Sequence, residues 1–341
     1  MKAAVYYSNR DVRLEERPAP APADGEMLLR VEASGICGSD VMEWYRIRKA
    51  PLVLGHEVAG TVTQLGSAVR GFRTGERVVA THHVPCNTCR YCLTNRHSVC
   101  ETLRTSHFDP GGFAELIRLP ALNVDRGTFK LPDHVSSEEG TFVEPLACVV
   151  RAQRMAGLAP GQSVAVLGSG ISGILHVQLA RATGAGKIFA TDPQEARLKL
   201  ARQFGADLAI SAGEDVPARI RSANEGRLAE QVLVCTSALP AIRQAFACVG
   251  RGGTILFFAP VAPGDGVAFP MYELWNDGIK IVHSYAGPPA DMLTALDLIA
   301  SRRVNVASMV THRLPLSRAQ EGFDLVVRAS DSLKVILDPR L

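Results

Sequence analysis

The sequence predicts an α/β chain in two parts, a β-rich first part followed by a doubly wound parallel sheet. Three observations lead there. Apolar, β-branched runs punctuated by Gly and Pro fill residues 1 to about 148. From about Gly161 the rhythm changes to short apolar strands alternating with helical periodicity. A Gly-x-Gly-x-x-Gly run, Gly168, Gly170 and Gly173, stands where that change begins, after one apolar strand and before a helix.

In order along the chain, "EMLLRVEAS", "HEVAGTVTQLG", "ERVVATHH" and "GGFAELIRLP" read as strands of the first part, and Pro18–Gly25 as a loop. In the second part, strands are expected at Ser163–Leu167, Lys187–Thr191, Gln231–Val234, Thr254–Phe258 and Lys280–Ser284. The segments "ISGILHVQLARATG" and "PQEARLKLARQFG" carry helical periodicity and end on Gly184 and Gly205, each suited to the position just past a helix. The tail reads as helices near Ala290–Ser301 and Arg318–Ala329 and a strand at Lys334–Leu337. The domains expected are 1–148, 149–285 and a C-terminal segment 286–341, with a cysteine lobe at about 84–104.

Composition excludes several functions. A chain of 341 residues with 47% apolar and 21% charged residues can build about two cores. A net charge of +3 without a long Lys/Arg run argues against a nucleic-acid or membrane-surface partner. No stretch of about 18 apolar residues suggests a membrane span. The opening "MKAAVYYSNRDVRLEE" turns charged too early for an export signal, so a cytoplasmic chain is expected. Eight cysteines, four of them tightly spaced, then point to metal in a reducing compartment and away from disulfides.

The glycine run predicts a dinucleotide site. Gly168, Gly170 and Gly173 permit a tight turn and close backbone approach, and the helix opening at Ile171 and Ser172 offers N–H groups to a pyrophosphate. Asp192, nineteen residues past Gly173, stands where a carboxylate accepts from both ribose hydroxyls and repels a 2′-phosphate, which favours NAD over NADP. Arg197, expected on the exterior of the following helix, leaves room for NADP.

Cys86, Cys89, Cys92 and Cys100 make four thiolates in fifteen residues, enough to close a tetrahedral Zn²⁺ site that has no open position and contributes folding energy. The neighbouring His82, His83 and His97 are taken as bystanders. Cys37 in "GICGSD" and His56 in "LGHEVAG" form a second, mixed-ligand pair flanked by glycines, suited to a catalytic metal with an open place. Glu144, followed by Pro145 at an expected helix start, is the third candidate, and Glu57 an outer or exchanging ligand. Cys148, one helical turn past Glu144, is the rival third ligand, with core packing preferred for it.

Taken together, "GICGSD", "LGHEVAG", the four-cysteine lobe, "GGFAE", "EPLA" and the glycine run ending in Asp192 resemble the zinc-containing medium-chain dehydrogenase/reductase family, most nearly its sorbitol (polyol) dehydrogenase-like branch. The resemblance covers essentially the whole chain. It implies a GroES-like β-barrel catalytic domain, to which the last segment returns, plus a Rossmann cofactor domain. It also implies two zinc ions per chain, NAD, a hydroxylated small-molecule substrate and a homo-oligomer, tetramer or dimer. Cys37, His56 and Glu144 match the catalytic zinc ligands, with Glu57 beside the metal. Ser39 matches the hydroxyl that passes the substrate proton outward, and Lys334 a basic residue that touches the cofactor pyrophosphate. Glu at 144, where simple alcohol dehydrogenases carry a third Cys, points to the polyol branch.

Two departures stand out. Met42 occupies the position of the family's relay His, leaving Glu43, water or a cofactor ribose hydroxyl for that step. The link from Cys37 to His56 is short and carries Arg46, Arg48 and Lys49, which suggests a different substrate, anionic or highly hydroxylated at one end. The reaction expected is reversible oxidation of a secondary alcohol to a ketone, with an L-threonine-type dehydrogenase as the alternative.

Overall fold

The chain folds into two compact units in the computed structural model, which describes all residues Met1–Leu341. One unit comprises Met1–Ala147 and Ala286–Leu341, the other Cys148–Tyr285. No helix is long and apolar enough to cross a membrane.

The first unit is built on a seven-stranded sheet. Its path runs Val310–Leu314, Lys334–Leu337, Met27–Gly35, Glu57–Leu65, Arg77–Ala80 and Thr128–Lys130, and Leu116–Leu119 also pairs with Met27–Gly35. A small sheet of Asp11–Glu16, Lys2–Ser8 and Leu52–Val53 packs with it. The central strand Met27–Gly35 is buried at all but one position, which matches its apolar run and needs no alternation. Met27, Leu29, Val31, Val58, Val62, Val78 and Ile117 close one core, and Tyr6, Ile36, Phe113, Phe323 and Val335 a second. The C-terminal strand Lys334–Leu337 pairs antiparallel with Ser34 and Gly35, which fixes the return of the tail to this unit.

Three carboxylates of this unit sit among donors. Glu32 accepts from Thr61 Oγ1 and Ser137 Oγ, both at 2.6 Å. Glu139 closes the capping box with Ser136 and meets Arg302, and Asp338 meets Arg340 at 2.7 Å. Burial by itself would raise their pKa values, but the donors outweigh it and all three lie below the ordinary carboxylate range. Folded values below unfolded ones near 4 mean the stabilisation is complete above about pH 4.5 and is lost as pH falls through the folded values. Urea midpoints should hold steady from pH 7 to 5 and drop below pH 4, less steeply in Glu32→Gln. A midpoint insensitive to pH down to 3 would refute this.

The second unit is a six-stranded parallel sheet in the order Leu208–Ser211, Ile188–Asp192, Val164–Leu167, Ala229–Val234, Val249–Phe257, Lys280–His283. The order reverses at Val164–Leu167, and the crevice beyond the carboxyl end of such a strand is where ligands bind in open α/β sheets. Helices Ile171–Ala182 and Glu195–Gln203 end two residues before Gly184 and Gly205, whose φ values are +89° and +112°. The strand Leu208–Ser211 and the helix Val216–Ala223 were not among the expected elements. The strand has only four residues, and the helix starts from Asp215, whose Oδ1 accepts the Ala218 N–H at 3.1 Å.

Candidate metal centres and nucleotide loop

Strand register assembles the first centre. Met27–Gly35 pairs antiparallel with Glu57–Leu65, with Gly35 opposite Glu57. Cys37, just past the end of one strand, and His56, just before the start of the other, are thereby brought side by side although nineteen residues apart. On its far edge Glu57–Leu65 pairs with Arg77–Ala80, Val58 opposite Ala80. Continuing that register sets His82 opposite His56, and their ring centroids are 4.8 Å apart.

Donor atoms of Cys37, His56 and Glu57 all lie within 4.8 Å of one another. Those of His82, His83 and Glu144 form an adjoining group within the same limit, with His83 Nδ1 3.8 Å from Glu144 Oε1. This differs from the expected trio of Cys37, His56 and Glu144. Glu144 is the second residue of helix Val143–Ala156, with Pro145 third and not first, and it faces the two histidines. The first turn of a helix leaves its N–H groups unbonded, so Pro at that place costs nothing. His82 and His83, taken as bystanders of the cysteine lobe, lie outside it and beside Glu144 and His56.

Asp40 organises the centre from behind. It is fully buried, accepts the Cys37 N–H at 3.0 Å through Oδ2, and sets Oδ1 3.4 Å from His56 Nδ1. That leaves His56 Nε2 as the nitrogen available to a metal. Burial alone would lower the His56 pKa, yet the Asp40 carboxylate and the Cys37 sulfur reverse this and raise it well above the usual value. For His82, burial and then the charges of its neighbours push the pKa well down, so its ring is neutral. Ser39 donates its N–H to Cys37 Sγ at 3.4 Å. Arg46 donates to the Ser39 carbonyl at 2.9 Å and to Ser39 Oγ at 3.1 Å.

Lys334 has a different place from the one expected. Its side chain is fully buried, ion-paired with Glu57, and its Nζ lies 5.4 Å from the Phe142 ring centroid. It has no exposed end to offer a pyrophosphate. Gly35 explains how the pair fits: a Cβ there would overlap Glu57 Oε2 and Lys334 Nζ. Burial pushes the Glu57 pKa up, and Lys334 and His56 offset this only in part.

The donor set fits a zinc ion. It combines a soft sulfur, an imidazole oriented by a carboxylate, and carboxylates able to balance charge. His82 Nδ1 is buried with no hydrogen-bond partner, a polar atom left for a ligand or water of the site.

The second centre is the cysteine lobe. Sγ–Sγ separations are 3.6 Å for Cys89–Cys92, 3.7 Å for Cys86–Cys100 and 4.0 Å for Cys86–Cys92. Four sulfurs about 2.3 Å from a shared centre would stand ~3.8 Å apart. The N–H groups of Cys89 and Cys86 point at sulfurs, at 3.3 and 3.5 Å, and a hydrogen bond from Thr88 helps push the Cys86 thiol down to about 5. Leu103 forms the floor of the lobe.

In the second unit the glycine run turns between Val164–Leu167 and Ile171–Ala182. Gly168 has φ +95°, and a Cβ on Gly173 would collide with the Gly168 carbonyl. Gly170 faces open space, which keeps the approach to the first-turn N–H groups of Ile171 and Ser172 clear for a phosphate. Asp192 accepts the Ser169 N–H and the Gln194 N–H, each at 2.9 Å. Arg197 is buried at 7% exposure and not exterior; burial lowers its pKa and Asp192 offsets part of that.

Asp40 is the residue behind the centre that sequence reasoning missed, and His82 and His83, set aside with the cysteine lobe, lie next to it. Asp40 was findable from the rule that a ligating His has a carboxylate behind it. The histidines needed the strand register.

Residues 23–133 match the family described as the alcohol dehydrogenase GroES-like domain, and residues 172–301 the family described as zinc-binding dehydrogenase. The sorbitol dehydrogenase of Gallus gallus is 33% identical over 98% of this chain and 95% of its own length. Among solved structures, alcohol dehydrogenase TADH from Thermus sp. ATN1 is 30% identical, with TM-score 0.88 over 99% of both chains. A zinc-binding dehydrogenase of Sinorhizobium meliloti 1021, bound to NADP, is 28% identical with TM-score 0.89 over 99% of both chains.

Proposed function

Because the chain belongs to the zinc-containing medium-chain dehydrogenase/reductase family, in its sorbitol dehydrogenase-like branch, we propose that it oxidises a secondary alcohol of a polyol-like substrate to the ketone, reversibly, with NAD as hydride acceptor. The observation that carries the reading is the convergence of Cys37, His56 and Glu57 with Asp40 behind them. Cys37, His56 and a carboxylate from Glu57 or Glu144 would hold a zinc ion, which would supply Lewis-acid polarisation of the substrate hydroxyl. A second zinc in the cysteine lobe has a structural role.

The chain's own residues handle the proton. One lone pair of Ser39 Oγ is taken by the Arg46 N–H, so its remaining lone pair receives the substrate's proton while its own O–H passes one on. Arg46 keeps its charge and cannot accept, Met42 offers no acceptor and Glu43 is engaged by the Asn9 N–H, so the proton leaves to water or to a bound cofactor's ribose hydroxyl. A nicotinamide held at the glycine run would accept the carbon's hydride, the redox chemistry being the cofactor's own.

NAD preference is supported by Asp192 at the end of the second parallel strand, where its carboxylate opposes a 2′-phosphate. The NADP-bound relative and the buried Arg197 beside Asp192 make the preference worth measuring. The expected NAD/NADP ratio of kcat/KM exceeds tenfold and collapses toward unity in Asp192→Ala; an unchanged ratio in the variant would remove Asp192 from this role. A homo-oligomer is supported by the edge strand Lys280–His283 and by Met271, Tyr272 and Trp275, exposed on the helix that precedes it. Eight free cysteines support a reducing cytoplasm.

The test is NADH formation on a panel of polyols, cyclitols, simple alcohols and L-threonine, before and after chelation. Chelator-sensitive oxidation of a vicinal diol supports the reading. Activity confined to L-threonine replaces it with a β-hydroxy amino acid dehydrogenase.

A further inference from the structure

The segment between Cys37 and His56 carries three cations, Arg46, Arg48 and Lys49, against two carboxylates, Asp40 and Glu43. Glu43 is turned away, accepting the Asn9 N–H at 3.0 Å, and Asp40 is buried between His56 and Arg46. Arg48 and Lys49 make no ion pair. Arg46 is held in place: its side chain is 15% exposed, Nε and Nη2 are spent on Ser39, and Nη2 lies 3.5 Å from Asp40. Nη1 has no partner. Its guanidinium carbon is 4.7 Å from the Tyr45 ring centroid, and Lys49 Nζ is 5.5 Å from the same centroid. One aromatic ring thus ties together two cations, one of which is hydrogen-bonded to the residue that touches the Cys37 sulfur.

The charge here is not that of a merely solvated loop. Arg46 is held, mostly buried, between Ser39 and Asp40, and still has Nη1 left over. A guanidinium with a free N–H and an ammonium held against the same aromatic ring suit an oxyanion. Resting on the dehydrogenase reading above, we propose that the substrate is an anionic polyol, its oxidised CH–OH placed at the Cys37–His56 centre and its carboxylate or phosphate monoester bound by Arg46 and Lys49.

The experiment compares D-sorbitol, D-sorbitol 6-phosphate and D-gluconate with the zinc-loaded full-length protein and NAD⁺, by NADH formation and by calorimetric binding. At least one anion should exceed sorbitol tenfold or more in kcat/KM, and added salt should erode that ratio. Which anion wins decides between carboxylate and phosphate. Lys49→Glu should lower the anion-to-sorbitol ratio at least tenfold, chiefly through KM, as expected when binding remote from the reacting carbon is lost. Arg46→Lys should weaken anion binding while keeping the charge, because the fork is gone. Sorbitol favoured by the wild type, or a ratio unmoved in folded, zinc-replete Lys49→Glu, overturns the proposal. If none of the three is oxidised, the dehydrogenase reading fails for this substrate class. Calorimetry then decides on charge alone: anion-selective binding lost in Lys49→Glu supports the anion site, and its absence overturns it.

Discussion

Lys334→Met is expected to destabilise the first unit by about 3–5 kcal/mol, the cost of stranding one member of a buried ion pair. Lys334 and Glu57 have side chains 0% and 1% exposed, so no water replaces the lost ammonium. Glu57, whose pKa burial already pushes up, then has to take a proton or stay charged without its partner. The double variant Lys334→Met/Glu57→Gln should recover much of the loss, since a pair replaced by neutral groups of similar size is close to neutral in stability. Denaturant unfolding of the single and double variants checks this. A single-variant cost under about 1 kcal/mol would mean that the pair is not the buried charge pair described. The same site explains two sequence features, Gly35 and the return of the C-terminal strand, because both are needed to seat Lys334.

Cys92→Ala is the second large effect. Removing one of four thiolates should release the lobe's zinc, and structural zinc contributes on the order of 10 kcal/mol to peptides that fold around it. The lobe has little else to hold it. Its helices Arg90–Leu93 and Glu101–Thr105 are four and five residues long, and Leu103 is its one fully buried side chain outside the cysteines. Limited proteolysis should therefore cut between Cys86 and Thr105 in the variant and spare the wild type, while zinc content falls by one per chain. Equal zinc content and equal protease resistance in the two proteins would contradict a metal-built lobe.

Much of this fold is legible before any coordinates. The parallel strands announce themselves because both faces are covered, giving unbroken runs such as Val164–Leu167, and Gly184 and Gly205 mark helix ends through their positive φ. Leu208–Ser211 escapes because four residues with two half-exposed give no run to see. The cysteine lobe is local in sequence and therefore readable. The other centre is not local. Cys37 and His56 are suggested by their glycine settings, but choosing between Glu57 and Glu144 depends on which strand edges meet, and His82 joins only through the register that sets it opposite His56. Lys334, matched through the resemblance to a basic residue at the cofactor, has a partner that sequence could not show: the pairing of Ile336 with Gly35 buries it against Glu57. Arg197 likewise counts as exterior until the packing of its helix is known.

The central claim is that chemistry occurs at the Cys37–His56 centre and not at the lobe. The direct measurement is NADH formation by Cys37→Ala and wild type on a substrate oxidised by the wild type, with zinc quantified in the same samples. Cys37 is in a turn beyond its strand, outside the apolar cores, so the variant should fold. The account predicts two zinc ions and activity in the wild type, and one zinc ion with activity lowered roughly a thousandfold or more in the variant, since Lewis-acid polarisation is worth several kcal/mol. A variant that keeps both zinc ions, or that turns over within a few-fold of wild type, would contradict it.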